Sequence, residues 1–302
     1  MPPPQASEAL YTTLQRYQLM LLVAGRRLWS RMAPGDFDGS WSRIAPQMTA
    51  FTSGAQLAAA QAAVAYVPAV LEETGQPDRP EAAVRPRAFA GVASDGRSLP
   101  GLLEGSVVAT KRAAERGLAP SEALLAGQGW LETALQGAIT DAARDATAAS
   151  IVVRPDMGWV RMVNPPCCSR CAVLAGKFYQ WSTGFQRHPR CDCVHIPSQE
   201  NRAGDFVTDP KRLVERGLIT DLTAAQRKRL DDGAGLVKVL NESRDAWRVR
   251  MAADRQAQRE LSKRQQWAGV EPGPARTVND FMAHLTSRVD AINAMKSAGI
   301  VD

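Results

Sequence analysis

Apolar residues near the N-terminus recur at spacings of four and three. Leu10, Leu14, Tyr17, Leu21, Ala24 and Leu28 form one seam, which predicts a long amphipathic helix. Ser7 reads as its N-cap, Glu8 lies in the first turn where the helix dipole favours an acid, and Pro34-Gly35 ends it. A second, Ala-rich helix is predicted from about Ser42 to Glu73, with Ser53-Gly54 and Pro68 as its weak points. Residues 75–96, rich in Pro and Gly, read as a long exposed loop. Pro100 fits the first turn of a third helix that stops at Gly117. Pro120 opens a fourth, carrying Leu124, Leu131, Leu135 and Ile139 toward Ala149.

After Arg154-Pro155 the period changes. Gly158 to Val163 and Lys177 to Trp181 alternate as strands do, and Cys193 to Pro197 is a third short strand. From Asp209 the chain reads as helical again. Asn241 to Gln266 is rich in Arg, Gln and Glu with few apolar anchors, the pattern of a solvent-facing helix or one ordered by a partner. Val278, Phe281, Met282, Leu285, Val289, Ile292 and Met295 predict one amphipathic C-terminal helix. The fold class is therefore mainly α with long N-terminal helices and a small α+β central domain of few short strands. The expected division is a helical domain at 1–150, a central domain at 151–241, and a polar linker helix with the C-terminal helix at 242–302.

Composition narrows this little. The 302 residues are 45% hydrophobic and 23% charged, low in aromatics and rich in Ala, as expected of a helical soluble protein. A net charge of +6 permits contact with nucleic acid or an acidic protein surface, but the basic residues are spread along the chain, as on solvated helix faces. The N-terminus lacks the pattern of a signal peptide. Leu19 to Ala24 and Leu57 to Leu71, the latter interrupted by Gln61 and Pro68, read as too short or too Ala-rich to span a membrane. An odd number of cysteines without an export signal argues for a reducing cytoplasm, and for metal binding over disulfides.

All five cysteines, Cys167, Cys168, Cys171, Cys191 and Cys193, fall in one window with His188 beside them. A C-x2-C pair and an H-x2-C-x-C group separated by sixteen residues (172–187) match the arithmetic of a structural zinc site. Four ligands are needed, and Cys168, Cys171, His188, Cys191 and Cys193 compete for the places, with Cys167 the weakest cysteine. Cys168 and Cys171 form the knuckle, and His188 and Cys191 the second half. Cys193 points to the same strand face as Cys191, and either replaces it or stands just outside. Gly176 and Gly184 supply turns, while Arg170, Arg187 and Arg190 would help keep the thiolates deprotonated. Reduced core thiols and reactive thiols are the rival readings.

Catalytic chemistry has little to stand on. A Cys/His protease can be drawn with Cys167 or Cys168 as nucleophile, His188 or His195 as base, and Asp192 as the one nearby acid. A serine protease lacks the G-x-S-x-G elbow, and His284 falls on the polar side of the terminal helix. No P-loop, G-x-G-x-x-G or H-E-x-x-H occurs, so no enzyme is expected.

The C-x2-C pair, then Leu174-Ala175-Gly176-Lys177-Phe178-Tyr179, then His188-Pro189-Arg190-Cys191-Asp192-Cys193 followed by Pro197, resembles the signature of the MuF-like minor head proteins of tailed phages. Three looser features are similar to the versions from phages of actinobacteria. They are Arg26-Arg27-Leu28-Trp29 in the first helix, Leu222-Thr223 through Asp232-Gly233-Ala234 and Val237 to Asn241, and the tail Gly299-Ile300-Val301-Asp302. The resemblance implies a virion or prohead component near the portal vertex, in the capsid interior, made in the host cytoplasm. It implies partnership with the portal protein and with the major capsid protein, in head assembly or DNA passage, without a membrane anchor. The family motif maps onto Cys168, Cys171, His188, Cys191 and Cys193, and the extra Cys167 leaves the first position open between two sulfurs. Some relatives are labelled capsid maturation proteases, which makes that one alternative. A DNA-binding module at the genome end is another.

Overall fold

The computed structural model describes residues 3–185, 187–188, 191–241 and 277–302. Helices dominate, and a small antiparallel sheet is set against them. Helix α1 (Gln5–Trp29) buries Leu10, Leu14, Leu21 and Leu28 as its pattern predicts, but the seam is completed by Gln18 and Gly25. Tyr17 and Ala24 lie on its half-buried flank. Ser7 is not the cap. It is buried, with its hydroxyl 2.7 Å from that of Tyr66. The open N–H groups of α1 are instead met from another helix, by the Glu73 carboxylate at 2.6 Å from the Gln5 nitrogen and 2.9 Å from that of Ala6.

Helix α2 (Phe37–Glu73) starts earlier than predicted because Asp36 caps it, accepting from the Gly39 N–H at 2.8 Å. It also runs unbroken through Gly54, Pro46 and Pro68. An internal proline costs a helix about 3 kcal/mol. Here Ala59, Ala60, Ala63, Val67, Val70 and Leu71 are fully buried, and that packing outweighs the local cost. The uninterrupted helix is longer than the stretch Leu57 to Leu71 read from the sequence, and by length and composition alone α2 is long and apolar enough to cross a membrane. In the fold, its buried side packs on α1, on α3 (Leu99–Glu115) and on α4 (Pro120–Val152).

Residues 75–96 are less exposed than predicted. Gln76, Phe89 and Ala93 are buried. Gln56 of α2 holds the segment from beneath, accepting from the Gly91 N–H at 2.9 Å and donating to the Val92 carbonyl at 2.8 Å. Val84 pairs with Val301, so the last residues of the chain close over this segment.

Strands β1 (Met157–Met162), β2 (Phe178–Tyr179) and β3 (Val194–Gln199) form the sheet in the order β2-β1-β3, all antiparallel. The register sets Trp159 opposite Tyr179 on one side of β1 and Arg161 opposite His195 on the other. The predicted alternation along β1 does not mark one wet face, because all six residues are buried. Met157, Trp159, Val160 and Ile196 belong to the same core as the helical bundle.

Short helices α5 (Ser169–Leu174), α6 (Glu200–Ala203), α7 (Pro210–Glu215) and α8 (Ala224–Asp231) follow, and residues 236–241 are helical. A second, smaller core joins Val163, Ala172, Ala175, Leu213, Ile219, Leu222 and Leu236 with four of the cysteines. The predicted polar helix lies, from residue 242 on, outside the described residues. The predicted C-terminal helix is two helices, α9 (Val278–His284) and α10 (Arg288–Ser297). Ser287 caps the second, accepting from the Asp290 N–H at 3.4 Å. The break shifts the face: Phe281, Met282, Ile292 and Met295 are buried, whereas Val289 is exposed.

Candidate metal centre

Cys167 and Cys168 are neighbours with different tasks. The Cys167 backbone pairs with the segment after α7, donating to the Leu218 carbonyl and accepting from the Thr220 N–H, each at 3.0 Å. Its thiol sits in the smaller core, where burial pushes it up to about 11. Cys168 is the N-cap of α5, and its sulfur accepts from the Cys171 N–H at 3.3 Å. That bond turns both sulfurs of the C-x2-C pair to one side. Among the described residues Cys168, and not Cys167, belongs to a group of donors close enough to hold one ion.

His188 brings Nε2 to 3.2 Å from the Cys168 sulfur and 3.4 Å from that of Cys171. The Cys171 and Cys191 sulfurs are 3.8 Å apart. In a tetrahedral zinc site two sulfurs stand about 3.8 Å apart, and a sulfur and a nitrogen about 3.5 Å. The donor atoms form two groups of three, Cys168 with Cys171 and His188, and Cys171 with Cys191 and Cys193. Within each group every donor is within 4.8 Å of the others. Cys171 belongs to both and is the hub. Thiolate and imidazole donors of this kind suit a soft or borderline metal ion, and a hard cation would want oxygen.

Protonation follows the same geometry. The hydrogen bond from Cys171 holds the Cys168 thiol down at about 6, helped by the Cys171 N–H and by His188. Cys191 is also lowered, by hydrogen bonds from Cys171 and Cys193 and by the charge of Arg144, while Cys171 is raised because it is the donor. Cys193 is raised to about 12. The bond to Cys171 favours its thiolate, but the bond to Cys191, burial and the Cys191 charge outweigh it. Cys168 and Cys191, both lowered, are the thiols that most readily give up a proton to a metal ion.

The arginines expected beside the thiols are not those that support them. Arg170 is exposed, Arg187 turns to Asp141 at 2.5 Å, and Arg190 lies outside the described residues. Arg144 of α4 and Arg161 of β1 do the work instead. Arg144 donates to the Cys191 carbonyl at 2.5 Å and, through two nitrogens, to the Cys193 carbonyl at 3.0 Å. Arg161 reaches the Cys191 sulfur at 3.9 Å, and its guanidinium carbon lies 3.8 Å from the centre of the Phe185 ring. One signal was present in the sequence: Arg161 is a lone charge inside the apolar stretch of β1, whereas Arg144 has Asp141 and Asp145 beside it in α4.

His195 joins neither donor group. It is buried between Trp159 and Phe185, with ring centres 4.5 Å away in both cases, and neither of its nitrogens has a hydrogen-bond partner among the described residues. Burial, then Arg161 and Arg144, holds its pKa well below the usual imidazole value. Asp192 accepts from the Tyr11 hydroxyl at 3.1 Å and so ties this segment to α1. His284 is exposed on α9. A groove of about 420 Å³ borders the centre, lined by His188, Cys191, Arg187, Asp141, Ser94 and Trp130. Compared with known proteins, the chain matches no family model, no curated protein and no solved structure.

Proposed function

We propose that Cys168, Cys171, His188 and Cys191 bind one Zn2+ ion as a structural clamp, and that the chain is a structural minor head protein of a tailed phage. The observation that carries the clamp is His188 Nε2 lying against two sulfurs at 3.2 and 3.4 Å, with Cys191 3.8 Å beyond the second. Cys171 joins the two groups of three donors, and an ion that drew Cys191 toward Cys168, Cys171 and His188 would complete a closed zinc site, with Cys193 a spare thiol beside it. The ion joins α5, the segment that carries His188, and the approach to β3.

The assembly reading rests on the motif resemblance and on the surface of α1. Leu19 and Met20 are each 64% exposed and Val23 59%, an apolar stripe at helical spacing of the kind that marks contact with another chain. On this reading the helical part meets the portal protein near the portal vertex, with the major capsid protein as a further neighbour.

Elemental analysis of the purified chain should give about one zinc per chain, as expected for a four-ligand site. Cys171→Ser should lose the metal and Cys193→Ser should keep it. The chain should co-elute with portal protein on size exclusion. A metal-free native protein of unchanged stability sinks the clamp, and separate elution at all concentrations sinks the portal partnership.

One contact favours a second reading, a thiol protease with Cys168 as nucleophile and His188 as base. It requires defined fragments of capsid or scaffold protein that disappear with Cys168→Ala. Against it, the same histidine nitrogen is shared with the Cys171 sulfur.

A further inference from the structure

The two halves of the metal motif are placed by different means. Cys168 and Cys171 are set by a helix, the first as the cap of α5 and the second inside its first turn. Arg187 and His188 lie in neither helix nor strand. One backbone bond, from the Cys191 N–H to the His188 carbonyl at 3.1 Å, closes the turn between these two ligands. A turn of this kind needs an anchor from elsewhere before its imidazole can be held to a ligand position.

Helix α4 supplies one. A single oxygen of Asp141 accepts from Arg144 at 3.2 Å and pairs with Arg187 at 2.5 Å. The other oxygen accepts from the Ser94 hydroxyl at 3.0 Å, and Arg187 donates to that same hydroxyl. Arg144 in turn holds the carbonyls of Cys191 and Cys193. One carboxylate therefore stands behind both sides of the turn. We propose that Asp141 is the positioning residue of the metal centre, tying His188 to α4 through Arg187 and Cys191 to α4 through Arg144. This rests on the zinc reading of the site. Arg187 serves the histidine beside it and not a thiol. Its side chain is 37% exposed and that of Asp141 13%, so Arg187 can be exchanged without opening a core.

The test uses the full chain as wild type, Arg187→Met, Arg187→Lys, Asp141→Asn and the Asp141→Asn/Arg187→Met double variant. Zinc affinity is measured by competition with a chromophoric chelator. Arg187→Met should still bind one ion, about tenfold more weakly, the low end of what losing an outer partner of a metal ligand costs. Urea unfolding of its metal-free form should match wild type, and the sulfur-to-metal absorption of its Co2+ form should keep its intensity, because the thiolates are untouched. Arg187→Lys should recover most of the affinity by restoring the pair with Asp141. Asp141→Asn should lose more than Arg187→Met, since two guanidinium groups then share a neutral amide. The double variant should bind no more weakly than Asp141→Asn alone, because Arg187 acts through that carboxylate. Equal affinity in Arg187→Met overturns the proposal, as do a loss that lysine fails to rescue, a matching loss of metal-free stability, and losses that multiply in the double variant. The Arg187 variants decide the matter if Asp141→Asn does not fold. Zinc bound by wild type and Arg187→Met alike would leave the clamp standing and remove the tether; no zinc on wild type would overturn both.

Discussion

His188 and His195 are seven residues apart and lie in opposite environments. One is half-buried with its Nε2 against two sulfurs, and the other is enclosed by aromatic rings with both nitrogens unmet among the described residues. His195 is therefore neutral when folded, and its folded pKa lies below the unperturbed value of 6.5. The sign follows: below 6.5 the unfolded chain takes up a proton that the folded chain refuses, so stability is lost as pH falls. The slope approaches about 1.4 kcal/mol per pH unit for one proton. His195→Phe, which replaces an unmet polar ring by an apolar one of similar shape, should remove that part of the slope and leave neutral-pH stability equal or higher. Urea unfolding of both chains at pH 7 and pH 5.5, with zinc saturating, measures it; an unchanged slope would refute the assignment. The candidate donors were legible because cysteine is rare and the C-x2-C spacing is local. Arg144 and Arg161 were not, because Arg144 meets the cysteine carbonyls 47 and 49 residues away and Arg161 meets its sulfur 30 residues away, distances at which only the fold decides.

Elements were legible where one periodicity persisted, and least so at their ends. The caps of α3 and α4 sit where Pro100 and Pro120 announce them. The course of α2 through two prolines was not legible, because burial against three other helices decides it and local propensity does not. The break between α9 and α10 was missed for the converse reason: an apolar period continues across it while the Ser287 cap restarts the helix. Helix α4 illustrates how close such packing is. A Cβ on Gly127 would stand 2.7 Å from the Ser106 carbonyl oxygen and 2.9 Å from the Trp29 ring, and closer still to the Thr110 hydroxyl. Alanine gains about 1 kcal/mol in helix propensity over glycine, but overpacking costs about 1–3 kcal/mol. The backbone oxygen of α3 cannot swing aside, so Gly127→Ala should be destabilising on balance. Chemical denaturation checks this, and a variant as stable as wild type would show that the two helices can part without cost.

At the scale of the molecule there are two cores, a large one running from the helical bundle into the sheet and a smaller one around the thiols. Removing the metal should loosen the second and spare the first. After chelation, hydrogen exchange should rise in the segment holding Val163, Ala172, Leu213 and Ile219, while Leu57 to Leu71 stays protected. Uniform exchange, or none, would contradict a local clamp. That the large core reaches across from the helices into the sheet was not legible, since neither element's pattern names the surface that covers it. Helix α1 lies across this body and is held at both ends by carboxylates from other helices. Glu73 takes its first N–H groups, and Glu132 takes Arg26 through two nitrogens at 2.7 and 3.0 Å. Its outward stripe of Leu19, Met20 and Val23 lies between those two pins. A chain that docks there meets a fixed rail, whose ordering entropy was lost when the protein folded, and association need not supply it again.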